Sequence, residues 1–148
     1  HRGLTGSDHA SGNPACIAAT LSMMERDVHG LIFVNLVDTD MLYGHRNDAE
    51  GFARALEAFD TALPSIMARM KGDDLLLLTA DHGCDPGFPG TDHTREQVPL
   101  LCWSPSLPKG VSLGDRPTFG DVASTVLDAF GLPNTLCGTS FYHALKED

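Results

Sequence analysis

Short apolar runs of strand length interrupt the chain at three places. Leu75 to Leu78 form a continuous apolar run, typical of a strand that is covered on both faces, and residues 31–37 form a second run rich in β-branched side chains. A third run covers residues 98–103, where Pro99 suits the start or the edge of a strand better than its middle. These runs predict three strands.

Helical spacing occupies the stretches before and between the runs. Asn13 and Pro14 supply a cap and a first-turn proline for a helix that extends to about residue 27. From Asp48 to about Met70, apolar side chains recur at helical spacing, and Pro64 is expected to kink or divide this helix. The apolar stripe is interpreted as core packing.

The end of the chain predicts more helix. Thr118 and Asp121, at capping-box spacing, predict a helix that ends near residue 131, and residues 140–145 predict a short last helix. Strands that alternate with long helices predict an α/β fold with a layered, mainly parallel sheet. Three strands make a thin sheet, however, and strands with two apolar faces normally need flanking strands and helices on both sides. We therefore expect residues 1–148 to form a partial core, as a piece of a longer chain.

Composition and charge narrow the function classes. The 148 residues suit one globular domain, and a hydrophobic content of 42% is ordinary for a soluble protein. The formal net charge of −10 argues against a nucleic-acid or anionic-membrane partner, because such surfaces need clustered Lys and Arg. An acidic cleft would also repel a phosphorylated substrate unless bound cations neutralised it.

The cysteines indicate a cellular setting. Cys16, Cys84, Cys102 and Cys137 are far apart and lack paired zinc-type spacing, so neither a disulfide framework nor a thiolate metal site is predicted. No apolar run approaches the roughly 18 residues that a membrane-spanning helix needs. We expect a soluble protein of the reducing cytoplasm.

A polar motif follows the run of leucines. Asp81, His82 and Gly83 come directly after the predicted strand, and in open α/β sheets the carboxyl ends of the strands face the ligand crevice. A carboxylate and an imidazole are suitable ligands for a divalent ion such as Mn²⁺, Zn²⁺ or Mg²⁺. An isolated motif of this kind has an ordinary alternative, a turn in which Asp81 caps a helix and His82 is exposed.

Two further groups favour the metal interpretation. Asp38, Asp40 and His45 follow the first predicted strand, and Asp92 and His93 end the Gly/Pro-rich loop that follows the leucine strand. Turn chemistry is the alternative for the two earlier aspartates, because their short side chains can hydrogen-bond their own backbone. It does not explain why a histidine recurs in each loop. The set predicts a metal centre.

Three blocks taken together resemble a known family. Residues 38–46 (DTDMLYGHR), 79–83 (TADHG) and 90–96 (GTDHTRE) are similar to the C-terminal metal-binding half of the bacterial phosphopentomutases, a family of the alkaline phosphatase superfamily. Residues 2–5 and 118–121 extend the similarity over nearly the whole chain. Three motifs in the same order and at similar separations make the resemblance specific.

The resemblance implies an alkaline-phosphatase-like fold and a two-metal enzyme, usually with Mn²⁺. Such an enzyme interconverts the 1-phosphate and 5-phosphate of ribose or deoxyribose through a phosphothreonine intermediate. By motif, Asp40, His45 and His93 resemble the ligands of one ion, and Asp81 and His82 those of the other. Two ions so placed would clamp the nucleophile and the transferring phosphoryl oxygens.

Parts of the family pattern are not found in this sequence. The bridging aspartate and the threonine nucleophile belong to the family's N-terminal segment, and an inserted cap domain closes over the sugar phosphate; none can be matched here. The nucleophile is therefore assigned to no residue, and Cys84 stands where the family commonly carries Asn. We expect the chain to be inactive alone and to pair with another copy through apolar surface that the missing strands would cover. Four threonines lie outside the nucleophile motif: Thr5, Thr79, Thr91 and Thr94.

Other interpretations stay open. A cofactor-independent phosphoglycerate mutase or a phosphatase of the same superfamily shares similar loops, although the four residues between Asp40 and His45 favour the pentomutase. A noncatalytic metal-binding module would fit the lack of an assignable nucleophile. Outside the motifs, solvent exposure is the ordinary explanation for His1, His9, His29 and His143. Arg46 and Arg95 lie beside the ligand loops, where a guanidinium could contact phosphate, although bracing of a loop through a nearby acid is the favoured interpretation.

Overall fold

The computed structural model describes residues 3–146, so His1 and Arg2, which entered the sequence arguments, lie outside the described residues. Both helices and strands are present, which confirms the mixed α/β class. The α-helices and β-strands of the described part are α1 (Asn13–Met24), α2 (Ala49–Met67), β1 (Leu76–Thr79), β2 (Leu100–Trp103) and α3 (Gly120–Ala129). Short single-turn helices cover Thr39–Tyr43, Gly44–Arg46 and Ala144–Lys146.

The chain divides into two compact units. The first contains the residues up to Lys71 together with His82–Leu100, and the second contains Gly72–Asp81 together with the residues from Leu101 onward. Helices α1 and α2 belong to the first unit, and α3 belongs to the second.

Helix α2 begins just after Asp48, where the apolar periodicity begins. Asp48 accepts a hydrogen bond from the backbone N–H of Gly51 at 2.8 Å, which satisfies one of the amides left free at a helix start. The helix runs unbroken through Pro64, so it is not divided there, and the alternative of a kink stays a prediction. Pro64 lies close to the C-terminal end of the helix, and its missing N–H removes one backbone hydrogen bond. The helix packs against α1 and against the turn Thr39–Tyr43.

The first predicted strand does not form. Residues 31–37 run without a strand partner among the described residues, and the side chains of Leu31 and Phe33 are 61% and 84% exposed. A strand depends on the hydrogen bonds of a neighbouring strand, so an apolar sequence alone cannot make one. The prediction of a strand at this position is therefore wrong for the part of the chain that the structure shows.

The other two predicted strands do form. β1 and β2 pair as a two-stranded antiparallel sheet. A layered, mainly parallel sheet is not seen within residues 3–146 and stays a prediction.

The second unit is centred on α3. Phe141 is 1% exposed, and its backbone N–H donates to the hydroxyl of Thr125 at 2.9 Å. Asp121 is buried and accepts from the N–H of Thr139 at 2.9 Å, so it ties the last segment to α3 instead of completing a capping box with Thr118. The short last helix is one turn, Ala144–Lys146.

No helix within the described range has the length and apolar character that crossing a membrane would need.

Candidate metal centre

Asp40 and His45 are brought together by two consecutive tight turns. Asp40 lies in the single-turn π-helix Thr39–Tyr43, and the N–H of Gly44 donates to its backbone carbonyl. A 3₁₀ turn over Gly44–Arg46 follows and ends at Asn47 in the left-handed conformation, with φ of 53°. As a result, Nε2 of His45 lies 3.4 Å from Oδ1 of Asp40.

His93 reaches the same carboxylate from a different loop. Gly83 and Thr94 form an isolated antiparallel bridge, in which the N–H of Thr94 donates to the carbonyl of Gly83 at 3.3 Å. The bridge stacks the rings of His82 and His93, with centroids 3.6 Å apart. Nε2 of His93 then lies 3.4 Å from Oδ1 of Asp40, and Nε2 of His82 lies 3.9 Å from it.

Backbone carbonyls fix two of the imidazoles. Nδ1 of His45 contacts the carbonyl oxygen of Thr91, and Nδ1 of His82 contacts that of Gly83 at 3.0 Å. A carbonyl oxygen only accepts, so each Nδ1 donates to it, and Nε2 is the ring atom that lies near the carboxylate of Asp40. This is the arrangement that holds a metal-ligating histidine in its ligand tautomer.

The arrangement around Asp40 fits a bound cation. Oδ1 of Asp40 is buried and has no hydrogen-bond partner within the described residues. Nε2 of His45 and Nε2 of His93 each lie 3.4 Å from this oxygen. The ligand atoms of Asp40, His45 and His93 all lie within 4.8 Å of one another. Imidazole nitrogen with carboxylate oxygen suits Zn²⁺ and Mn²⁺, so the chemistry of these residues fits a divalent metal ion.

Four of the five ligands expected from the sequence lie around one point. His82 stacks on His93 and lies near the carboxylate of Asp40, close to the three residues whose ligand atoms converge. Asp81, which the resemblance pairs with His82, belongs to the second compact unit. Among the threonines, Thr91 contributes its carbonyl to His45, while the hydroxyl of Thr94 donates to Glu96.

Two glycines of the site, Gly44 and Gly83, have a packing role that sequence reasoning did not assign. A side chain on Gly83 would lie 2.6 Å from the backbone nitrogen of Glu96 and 2.8 Å from the carbonyl of Thr94. A side chain on Gly44 would lie 2.5 Å from the sulfur of Cys84. Each glycine is adjacent to a ligand histidine, and that adjacency was the available signal.

Cys84 lies beside the centre as a protonated thiol. Its pKa is raised, first by burial and then by the negative charges of Asp40, Glu96 and Asp85. Thiolate is the form that binds metal, so this environment favours the hydrogen-carrying thiol over a ligand role.

Comparisons with known proteins agree with the geometry. Residues 4–134 match the family model described as the metalloenzyme superfamily. A phosphopentomutase of Caldanaerobacter subterraneus is 54% identical over 144 residues, which is 97% of this chain and 37% of the relative. A phosphopentomutase of Carboxydothermus hydrogenoformans is 49% identical over 99% of the chain, and one of Herpetosiphon aurantiacus is 46% identical over 99%. The chain spans about 37% of the length of these relatives.

Proposed function

Because the chain belongs to the metalloenzyme superfamily, we propose that it is the C-terminal part of the metal-binding core of a phosphopentomutase. In this proposal an N-terminal core segment and a cap domain lie outside these 148 residues, and the core has the layered, mainly parallel sheet of the alkaline phosphatase superfamily. The support is identity of 46% to 54% with phosphopentomutases over nearly the whole chain, at about 37% of their length.

The buried Oδ1 of Asp40, with three histidine nitrogens directed at it, is the observation that carries the proposal. Asp40, His45 and His93 would hold one divalent ion, and Asp81 and His82 would hold a second, with Mn²⁺ the expected metal. When bound, such ions would supply positive charge to offset the charge that builds on a transferring phosphoryl group.

The residues themselves act by orientation. The carbonyl of Thr91 keeps the proton of His45 on Nδ1, so Nε2 stays available as a ligand. The bridge between Gly83 and Thr94 keeps His82 and His93 in stacked register beneath the carboxylate. Pentose phosphate is the proposed substrate. The bound ions would offset the repulsion between its phosphoryl group and the acidic chain.

Two measurements test the proposal separately: Mn²⁺ binding by the chain, and enzymatic turnover by the chain and by a longer protein that contains it. We expect the 148-residue chain to bind Mn²⁺ in isothermal titration calorimetry, and His93→Ala to lower the affinity at least about tenfold. The chain alone should not convert ribose 5-phosphate to ribose 1-phosphate. A longer protein that contains it should do so, and should prefer that substrate to 3-phosphoglycerate.

Different results point to different errors. Turnover by the chain alone that is lost in His93→Ala would contradict the inactive-part proposal. Preference of the longer protein for 3-phosphoglycerate would favour a phosphoglycerate mutase. Metal binding by the longer protein without any turnover would favour a noncatalytic metal-binding module.

We also propose a setting for the protein in the reducing cytoplasm. All four cysteines are free in the structure, three of them half-buried and Cys137 exposed. Disulfide-forming compartments would put such thiols at risk of oxidation, which supports a reducing one.

Self-association belongs to the same proposal. Residues 31–34 expose four consecutive apolar side chains and lie in a segment without a strand partner in the described part. An unpaired apolar segment of this kind is a template for pairing with a second copy. Light scattering after size exclusion should show dimers, which Phe33→Ser should weaken. The matched control is Leu132→Ser, also at an exposed apolar position but in the second unit. A monomer at all concentrations would contradict this proposal.

A further inference from the structure

The start of α1 is capped by a residue far away in the sequence. Gly12, the residue before the helix, has no side chain to cap it, and Pro14 has no N–H. The backbone N–H of Asn13 donates instead to Oδ2 of Asp38 at 2.8 Å, across 25 positions. The carboxylate therefore does the work that a neighbouring Ser or Asp usually does, and its negative charge suits a helix start.

The contact is reciprocal. The backbone N–H of Asp38 donates to the side-chain oxygen of Asn13 at 3.1 Å. Asn13 is 7% exposed and is the buried residue of α1, so water competes little for either bond. Gly12 has φ of 79°, a conformation that glycine adopts without strain, and passes close to the carboxylate of Asp38. The Asn13–Asp38 pair is thus a fixed tertiary contact.

The pair holds the start of the turn that carries Asp40. The N–H of Met41 donates to the carbonyl of Val37 at 2.9 Å, so Asp38 lies inside the first hydrogen-bonded ring of that turn. Asp40 follows two positions later, and the next turn leads directly to His45. A shift of the backbone at Asp38 would be carried to both side chains.

The Oδ1 atom of Asp40 depends on that backbone for its direction. It has no hydrogen-bond partner within the described residues, whereas His45 is anchored by the carbonyl of Thr91. The backbone position of Asp40 therefore directs this oxygen at the three histidines.

We propose that Asn13 is a positioning residue of the metal centre, which acts on Asp40 through the backbone of Asp38. Asp38 itself is the cap of α1 and not a metal ligand. This inference rests on the metal centre of the proposed function, and it adds a residue that lies outside the ligand loops.

Measurements of metal affinity and of fold stability distinguish two roles for Asn13: positioning of the metal centre, or stabilisation of helix α1 alone. Asn13→Ala should weaken Mn²⁺ binding about tenfold or more, in the range that loss of a supporting hydrogen bond costs a metal site. The matched control is Asn134→Ala, which removes a side chain that bonds Leu136 and Gly138 in the second unit. It should lower the melting temperature and leave Mn²⁺ affinity unchanged.

An exchange of the two residues provides the rescue. The double variant Asn13→Asp with Asp38→Asn keeps an oxygen acceptor at each position and the same net charge. It should restore Mn²⁺ affinity to within about threefold of the original, since both backbone N–H donors keep a partner. Unchanged affinity in Asn13→Ala, with only a lower melting temperature, would overturn the proposal.

A readout without metal keeps the two proposals distinguishable. In nuclear magnetic resonance spectra of the metal-free chain, Asn13→Ala should move the imidazole signals of His45 and His93 and leave that of His143, in the second unit, in place. If the original chain bound no Mn²⁺, the proposed metal function would fail, while shifted signals would still support positioning. Unmoved signals of His45 and His93 would refute it in either case.

Discussion

At the scale of single residues, the centre is defined by which nitrogen of each histidine carries a proton. Nδ1 of His45 and Nδ1 of His82 donate hydrogen bonds to backbone carbonyls, so no neighbouring side chain is needed to select the ligand tautomer. Substitution of Thr91 would leave its carbonyl in place. The ligands are therefore more sensitive to movements of the backbone than to the identity of the residues beside them.

Burial also separates the cysteines chemically. Burial raises the pKa of Cys102 to about 11, whereas Cys137 is exposed. Thiolate is the reactive form, so at pH 8 iodoacetamide should label Cys137 well before Cys102, as peptide mass spectrometry would show. The pKa of Cys102 is higher when folded than when unfolded, so its share of stability is complete below the ordinary thiol pKa and declines as pH rises towards 11. Equal labelling rates at pH 8 in the folded chain would contradict this assignment.

Residue types and spacing were enough to propose the ligands but did not reveal the contacts that support them. Asp40, His45 and His93 were identifiable because acids and histidines recur after apolar runs. Asn13 was read only as a helix cap, because its bond to Asp38 spans 25 positions and no local pattern reveals it. Contacts of that kind depend on the fold as a whole.

At the scale of elements, the bridge between Gly83 and Thr94 replaces the longer strand pairing that usually aligns two ligands. A single bridge tolerates little change, since a side chain at Gly83 would meet only backbone atoms, which cannot rotate away. The extent of helix α2, in contrast, was predictable to within a few residues, because its apolar periodicity is a local feature. The conformation of residues 31–37 was not predictable from their sequence, because strand formation depends on a partner outside the segment.

Replacement of Gly83 by alanine tests the bridge. The overlap with Thr94 and Glu96 should separate the two bridged segments and lower the free energy of unfolding by about 2 kcal/mol. It should also weaken Mn²⁺ binding at least about tenfold. Gly30→Ala is the control in the same unit, because a side chain there meets nothing within 4 Å. Chemical denaturation and calorimetry would measure both effects. Binding by Gly83→Ala that equals that of Gly30→Ala would show that the bridge does not align His82 with His93.

At the scale of the whole molecule, the two compact units should differ in how strongly metal binding stabilises them. Asp40, His45, His82 and His93 all lie in the first unit, and the buried polar contacts around α3 lie in the second. A ligand that binds only the native state stabilises the regions that must be folded to hold it. The first unit should therefore respond most strongly.

Amide hydrogen exchange can detect this difference. Addition of Mn²⁺ should slow exchange in residues 39–46 and 82–94 and leave α3 close to its metal-free rate. Mass spectrometry of peptides would resolve the two regions. Equal slowing in α3 would contradict a metal effect confined to the first unit.

The contact between His45 and Thr91 joins groups 46 positions apart in the sequence. Closing so long a stretch of chain carries an entropic cost that grows with its length, and helix α2 within it can form earlier through local bonds. During refolding, helical structure should therefore appear before the centre is able to take up metal. Uptake of Mn²⁺ would then serve as a clock for the last stage of folding, one that reports when the distant loops have met.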